Sequence, residues 1–234
     1  MNNILTMESV HTYINQFHIL EGIDLSVERN TAAVILGRNG AGKTTTLETI
    51  MGLRPASKGT IIFDGTDITK MADYQIPKLG IGFVPENRDI FTALTVEENL
   101  KLACRDMSTF NNNVENVFRL FPDLKKYYKK GAGVLSGGQS QMLSIARALI
   151  NENKLILIDE PSKGLAPLII QEIVQTIKEI KKSCSIILVE QNFEMASAIG
   201  DYYYIMENGK VVLRCDKNQL ENDDEIKTKY LGIS

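Results

Sequence analysis

The stretch GRNGAGKTT, residues 37–45, sets glycines, one lysine and adjacent hydroxyls directly after the apolar run AVIL. That order fits the phosphate-binding loop pattern G-x-x-x-x-G-K-[ST]. Gly40 and Gly42 let backbone N–H groups converge on phosphate oxygens, and a helix starting there adds a dipole that favours negative charge. Gly37, Arg38, Asn39, Ala41 and Thr45 complete the cradle. Lys43 is the point charge for β- and γ-phosphates, and the Thr44 hydroxyl is a hard oxygen ligand suited to Mg²⁺. A second set closes the run LILIDEP, where Asp159 and Glu160 emerge together. Asp159 stands where it could hold Mg²⁺, directly or through water, and Glu160 is the candidate that orients a water for attack on a γ-phosphate. A third set, VLSGGQSQM at 134–142, offers Ser136, Gly137, Gly138 and Gln139 just before an amphipathic stretch. It reads as a second anion cradle, and one nucleotide pocket has no evident need of two. Taken singly, a strand end with two carboxylates or a capped helix start would be unremarkable. What points to chemistry is their order along one chain.

These residues need elements to hold them. AAVILG (32–37), KLILIDE (154–160) and SIILVE (185–190) are short continuous apolar runs, and helical spacing follows them, as over residues 169–182. Such alternation predicts a mostly parallel sheet with helices on both faces. Open sheets of this kind bind ligands beyond the carboxyl ends of their strands, where Gly37, Asp159 and Glu160 would lie. GTIIFDGTDIT (59–69) and YYYIMENGKVVLR (202–214) alternate and turn, Asn208 with Gly209 giving a hairpin signal, so both are predicted as antiparallel strands at the edge of that sheet. From 94 to 150 the strand signals stop. Thr95 with Glu98 makes a capping-box pattern, and Val114, Val117, Phe118 and Phe121 share one helical face. Residues 94–150 are therefore expected to form a helical insertion, ending in the 134–142 motif, inside an α/β core made of 1–93 and 151–234. KKYYKK (125–130) is expected to be a solvated charged face.

Composition sets limits. The 234 residues are 44% hydrophobic, enough for a sizeable core, and the net charge of −3 disfavours a nucleic-acid binder held by charge alone. No run reaches the roughly 18 apolar residues of a membrane helix, and MNNILTMESVHTY has no secretory-signal pattern. Cys104, Cys184 and Cys215 are widely spaced and read as reduced thiols, and His11 and His18 are remote in sequence from every motif. The expectation is a soluble intracellular protein.

The order of loop, helical insertion, LSGGQ and acidic strand resembles the nucleotide-binding subunits of the ATP-binding cassette family, over nearly the whole chain. The resemblance implies a P-loop NTPase core with an antiparallel β subdomain and an inserted α-helical subdomain, binding ATP and Mg²⁺ and hydrolysing ATP. In that family LSGGQ of one subunit closes over the phosphates held by another in a head-to-tail dimer, so Ser136, Gly137, Gly138 and Gln139 would serve the neighbour's nucleotide. Tyr13 matches the aromatic that stacks on adenine, with a core tyrosine as the alternative, and residues 162–166 match a loop crossing the dimer interface. Three positions depart from the commonest pattern. Glu86 in VPENRDIF stands where a glutamine reaches metal and water, Gln191 in EQN stands in place of the switch histidine, and Ala166 replaces an interface aspartate. Glu86 still offers an oxygen to Mg²⁺, while Gln191 keeps a neutral donor that cannot titrate near neutrality.

Those departures, with DEPS.GLAP, ILVEQN and the closing YLG, look like the ATPase subunits of branched-chain and hydrophobic amino-acid importers. The implied partners are a second cassette subunit, identical or different, membrane-embedded permease subunits on whose cytoplasmic face the chain would sit, and indirectly an extracytoplasmic binding protein, with no nucleic acid. Three other readings stay open. They are an importer of urea or short amides, a soluble cassette ATPase outside transport, and an assembly subunit that uses nucleotide as a clamp without hydrolysing it, against which the intact Glu160 weighs.

Overall fold

The computed structural model describes residues 3–223 together with Thr228. The closing YLG motif at 230–232 lies outside the described residues.

The apolar runs form one mixed sheet of six strands. In chain order these are β3 (Ala32–Leu36), β6 (Ile81–Val84), β7 (Leu155–Asp159), β8 (Ser185–Glu190), β9 (Tyr202–Glu207) and β10 (Lys210–Asp216). Their spatial order is β10-β9-β3-β8-β7-β6, parallel throughout except for β10. Each strand's side chains split between two cores at period two. Val34, Leu36, Ile156, Ile158, Ile186 and Leu188 face one, while Ala33, Ile35, Leu155, Leu157, Ile187 and Val189 face the other. A sheet covered on both faces needs uninterrupted apolar strands, which is why these segments show no polar alternation.

Helices fill the first core. They are α2 (Val96–Ala103), α3 (Phe110–Leu120), α4 (Pro122–Lys126), α5 (Gly137–Leu149), α6 (Pro167–Lys181), α7 (Phe193–Ile199) and the short α8 (Lys217–Asn222). The first four all fall between β6 and β7. Thr95 and Glu98 make the reciprocal capping box at the start of α2, a device worth about 1 kcal/mol. In α3, Phe110, Val114, Val117 and Phe118 are buried, an apolar stripe at helical spacing.

The second core lies under a separate antiparallel sheet. It contains β1 (Asn3–Ile14), β2 (Phe17–Glu28), β4 (Lys58–Phe63) and β5 (Thr66–Asp67) in the order β2-β1-β4-β5, and α1 (Lys43–Ile50) packs into the same core. Residues 59–69 therefore belong to this second sheet rather than to the edge of the main one. Of the two segments expected as edge strands, only β10 is antiparallel there; β9 is an inner strand parallel to β3. The longest strands, β1 and β2, give a weak sequence signal because their pairing shifts register four times and Ser9 takes a left-handed φ of 46°. The sheets are tied by tyrosine hydroxyls. That of Tyr204 donates to the Ser26 carbonyl at 2.8 Å, and that of Tyr202 accepts the Glu28 N–H at 2.9 Å.

KKYYKK is not simply a solvated face. Its lysines point outward, but Tyr127 and Tyr128 are half-buried against the helical core, the Tyr128 ring meeting Phe118 edge-on at 5.2 Å. Burial pushes the Tyr128 hydroxyl up to about 12, with the nearby Glu97 carboxylate adding to the shift.

Candidate functional site

The loop at 37–42 joins β3 to α1 and is held from the side by the β9–β10 turn. Gly209 there donates its N–H to the Ala41 carbonyl at 3.0 Å and accepts the Glu21 N–H at 2.8 Å, linking loop, turn and β2. Only glycine serves at 209, since φ is +76° and a Cβ would sit 2.2 Å from the Ile19 carbonyl oxygen. Gly40 takes φ +80° with open space beside it, so its backbone is bare toward solvent. At the start of α1, Gly42 makes no side-chain cap and the first turn carries no acid, leaving this helix end open to an external anion. Lys43 is buried, and its ammonium donates to the carbonyls of Gly37 at 2.9 Å and Arg38 at 3.3 Å.

β7 delivers both carboxylates to this loop. Glu160 Oε1 lies 3.5 Å from the Lys43 ammonium and accepts from Gln191 Nε2 at 2.5 Å. The same Gln191 amide donates to Asn39 Oδ1 at 2.6 Å, so one side chain beyond β8 spans the loop and Glu160. Glu160 itself has a left-handed φ of 41°, an uncommon state for a non-glycine residue. Asp159 is 1% exposed and neither carboxylate oxygen has a hydrogen-bond partner. Burial pushes it up to about 6; the nearby Thr44 hydroxyl pulls the other way, while Glu160 and Glu86 add to the rise. A buried carboxylate with both oxygens unpartnered, beside a hydroxyl, is a donor set suited to a divalent cation that takes its other ligands from phosphate and water.

Glu86 lies just past β6 and is paired with Lys163, whose ammonium also stands 4.0 Å from Glu160 Oε2. The structure thus brings Asn39, Lys43, Glu160 and Gln191 into one cluster and links Glu86 to it through Lys163. It does not bring Ser136, Gly137, Gly138 and Gln139 there. Those residues open α5, where the Ser136 hydroxyl accepts the Gln139 N–H and Gln139 Oε1 accepts the Ser136 N–H. Their neighbours are Arg88, Leu165 and Ile169. Tyr13 lies on β1, 46% exposed, with its ring stacked on His18 at 4.2 Å.

Three contributors escaped the sequence reading. Lys163 gave no signal beyond its place in the interface loop. Arg88, at a left-handed φ of 66°, donates to Gln141 of α5 at 3.0 Å and to the Lys163 carbonyl at 3.4 Å. Glu190, 1% exposed, accepts the N–H groups of Ser162, Gln191 and Asn192 at 2.9–3.0 Å and so fixes the loops after β7 and β8 to each other. Its signal was visible, because an acid ending the apolar run SIILV needs partners once buried.

Residues 20–163, from β2 through the loop after β7, match the family described as ABC transporter. The chain belongs to that family. As a cassette ATPase it binds and hydrolyses ATP. The chain is 37% identical over 232 residues to the high-affinity branched-chain amino acid transport ATP-binding protein BraG of Pseudomonas aeruginosa, covering 98% of this chain and 100% of that one. It is 32% identical to the lipopolysaccharide export system ATP-binding protein LptB of Haemophilus influenzae, with 98% of each covered. Among solved structures, the ADP conformation of an ATP-binding cassette of an ABC transporter superposes with a TM-score of 0.81 at 28% identity, covering 95% of this chain and 94% of that one. Tyr13 and Gln191 lie outside the family match, within the segment the whole-length relatives share.

Proposed function

We propose that this cassette powers an importer of branched-chain amino acids, working as one half of a head-to-tail pair whose other half is a second copy or a related cassette. The observation that carries the mechanism is the Lys43–Glu160–Gln191–Asn39 cluster beside the unpartnered Asp159. The cargo rests on whole-length similarity to the branched-chain amino acid relative, greater than that to the lipopolysaccharide export relative.

In this reading the triphosphate seats on the backbone of 37–42, where Gly40 is bare and α1 is uncapped. Lys43 exchanges its loop carbonyls for β- and γ-phosphate oxygens. Adenine stacks on the free face of Tyr13. Thr44 and Asp159 would hold Mg²⁺, with Glu86 behind them, and the ion would neutralise charge on the β- and γ-phosphates. Glu160, held by Gln191 and Lys43, orients the water and polarises its O–H bond. A bond forms from that water oxygen to the γ-phosphorus as the bond to the β–γ bridging oxygen breaks, and a water proton passes to a γ-phosphate oxygen, releasing ADP and phosphate. Ser136, Gly137 and Gly138 of the other subunit close over the γ-phosphate, so hydrolysis is tied to pairing.

No helix among the described residues is long and apolar enough to cross a membrane, so transport requires permease partners. A surface groove of about 380 Å³ between the α/β core and the helices, lined in part by Leu53, Phe83, Asp89, Arg105 and Arg147, is suited to a permease helix on the inner face of the membrane. The test is ATP hydrolysis by the complex reconstituted with its permease and binding protein. Turnover should rise when the binding protein carries leucine. Turnover indifferent to leucine, isoleucine and valine would remove the proposed cargo, and turnover raised by lipopolysaccharide would favour export.

A further inference from the structure

Glu86 brings a third carboxylate toward the phosphate site, and the structure shows what balances it. Asp159, Glu160 and Glu86 face two ammonium groups, Lys43 and Lys163. Lys43 is buried and bound to the loop. Lys163 reaches in from the loop after β7, ion-paired with Glu86 and 4.0 Å from Glu160 Oε2. It is 61% exposed, so the fold does not need it as core. The charge of Glu86 is felt at the buried Asp159, adding to the burial that already disfavours its ionised form. Without Lys163, three carboxylates would meet an incoming triphosphate with one ammonium group between them.

We propose that Lys163 is a positioning residue whose ammonium neutralises and aims Glu86, so that a carboxylate at 86 does not repel the triphosphate. The inference rests on the proposed nucleotide site and extends it to a residue no motif marks. The pair is solvent-facing, so as an ion pair it contributes little to stability. Its effect falls on the binding of another anion close by. A unit charge several ångströms from a phosphate, in a partly screened site, changes affinity by roughly three- to tenfold.

MgATP binding to the purified full chain, measured by calorimetry at low and high salt, tests this. Lys163→Ala should weaken MgATP binding roughly three- to tenfold at low salt and much less at 0.5 M salt, with an unchanged melting temperature in the absence of nucleotide. Lys163→Arg should bind as the wild type does. The decisive variant is Lys163→Ala combined with Glu86→Gln, which removes the unbalanced charge and should return affinity to within about twofold of wild type. A merely structural role predicts no such recovery. Equal MgATP affinity in Lys163→Ala and wild type, or a double variant as weak as Lys163→Ala, overturns the inference. Failure of wild type to bind MgATP, with Lys43→Ala indistinguishable from it, would instead overturn the nucleotide-site reading beneath it.

Discussion

The two glycine-rich helix starts in this chain are built in opposite ways. At α1 the helix has no side-chain cap, Gly42 is left-handed and Gly40 faces open space, so its N–H groups await a partner. At α5 the Ser136 and Gln139 capping box satisfies the first turn from within. An uncapped start is costly for a folded chain unless something binds it, and a capped start stands alone. The contrast matches their proposed duties. The first receives phosphate directly, and the second stays closed on itself until another subunit's nucleotide is brought to it.

The sharpest way to break that contrast is to remove chemistry without removing binding. Glu160→Gln should lower ATP turnover by roughly 100-fold or more while ATP-dependent pairing, read by light scattering, survives. Gly137→Asp acts on the start of α5. Its Cβ would meet Arg88 only at an ordinary 3.5 Å, so the fold should hold, but a carboxylate would face the neighbour's γ-phosphate. Turnover should fall roughly 30-fold, since like-charge contacts cost several kcal/mol, with MgATP affinity of the unpaired chain unchanged. An equal loss of affinity would mean that residues 136–139 serve their own chain. Asp159→Asn removes a buried unpartnered charge. The nucleotide-free chain should melt about 2–4 °C higher, while Mg²⁺ no longer adds to the stabilisation by ATP. The smallest effect is expected from Thr95→Ala, a cap outside the site, which should cost about 1 kcal/mol of stability and leave MgATP binding untouched.

Much of this was legible because its signals are local. The loop at 37–45, the strands before it and before Asp159, and the Thr95 and Ser136 caps are each set by neighbours in sequence, where glycine, periodicity and capping residues speak directly. The second sheet was hidden, because β1 and β2 pair through repeated register shifts that blur alternation. Residues 59–69 looked like an edge of the main sheet because a strand's pattern gives its faces but not its partner. Tyr127 and Tyr128 were hidden by flanking exposed lysines, whose charge makes the run read as a solvated face although the rings pack against the helical core. In the site, side chains that reach across loops carried the least signal. Gln191 could be placed only through resemblance, and Lys163 and Arg88 depend on left-handed turns and contacts between segments distant in sequence.

The central claim is that the phosphate loop before α1 and the capped start of α5 meet only across a pair of chains. With Cys104, Cys184 and Cys215 replaced by serine and Glu160→Gln blocking turnover, one population carries a spin label at Arg38→Cys and the other at Val134→Cys, exposed positions beside those two helix starts. Electron–electron distance measurements on the mixture should show a short inter-chain separation with MgATP that vanishes with MgADP. Labels that stay beyond range at saturating MgATP, in the free chains and in the permease complex alike, would contradict the account.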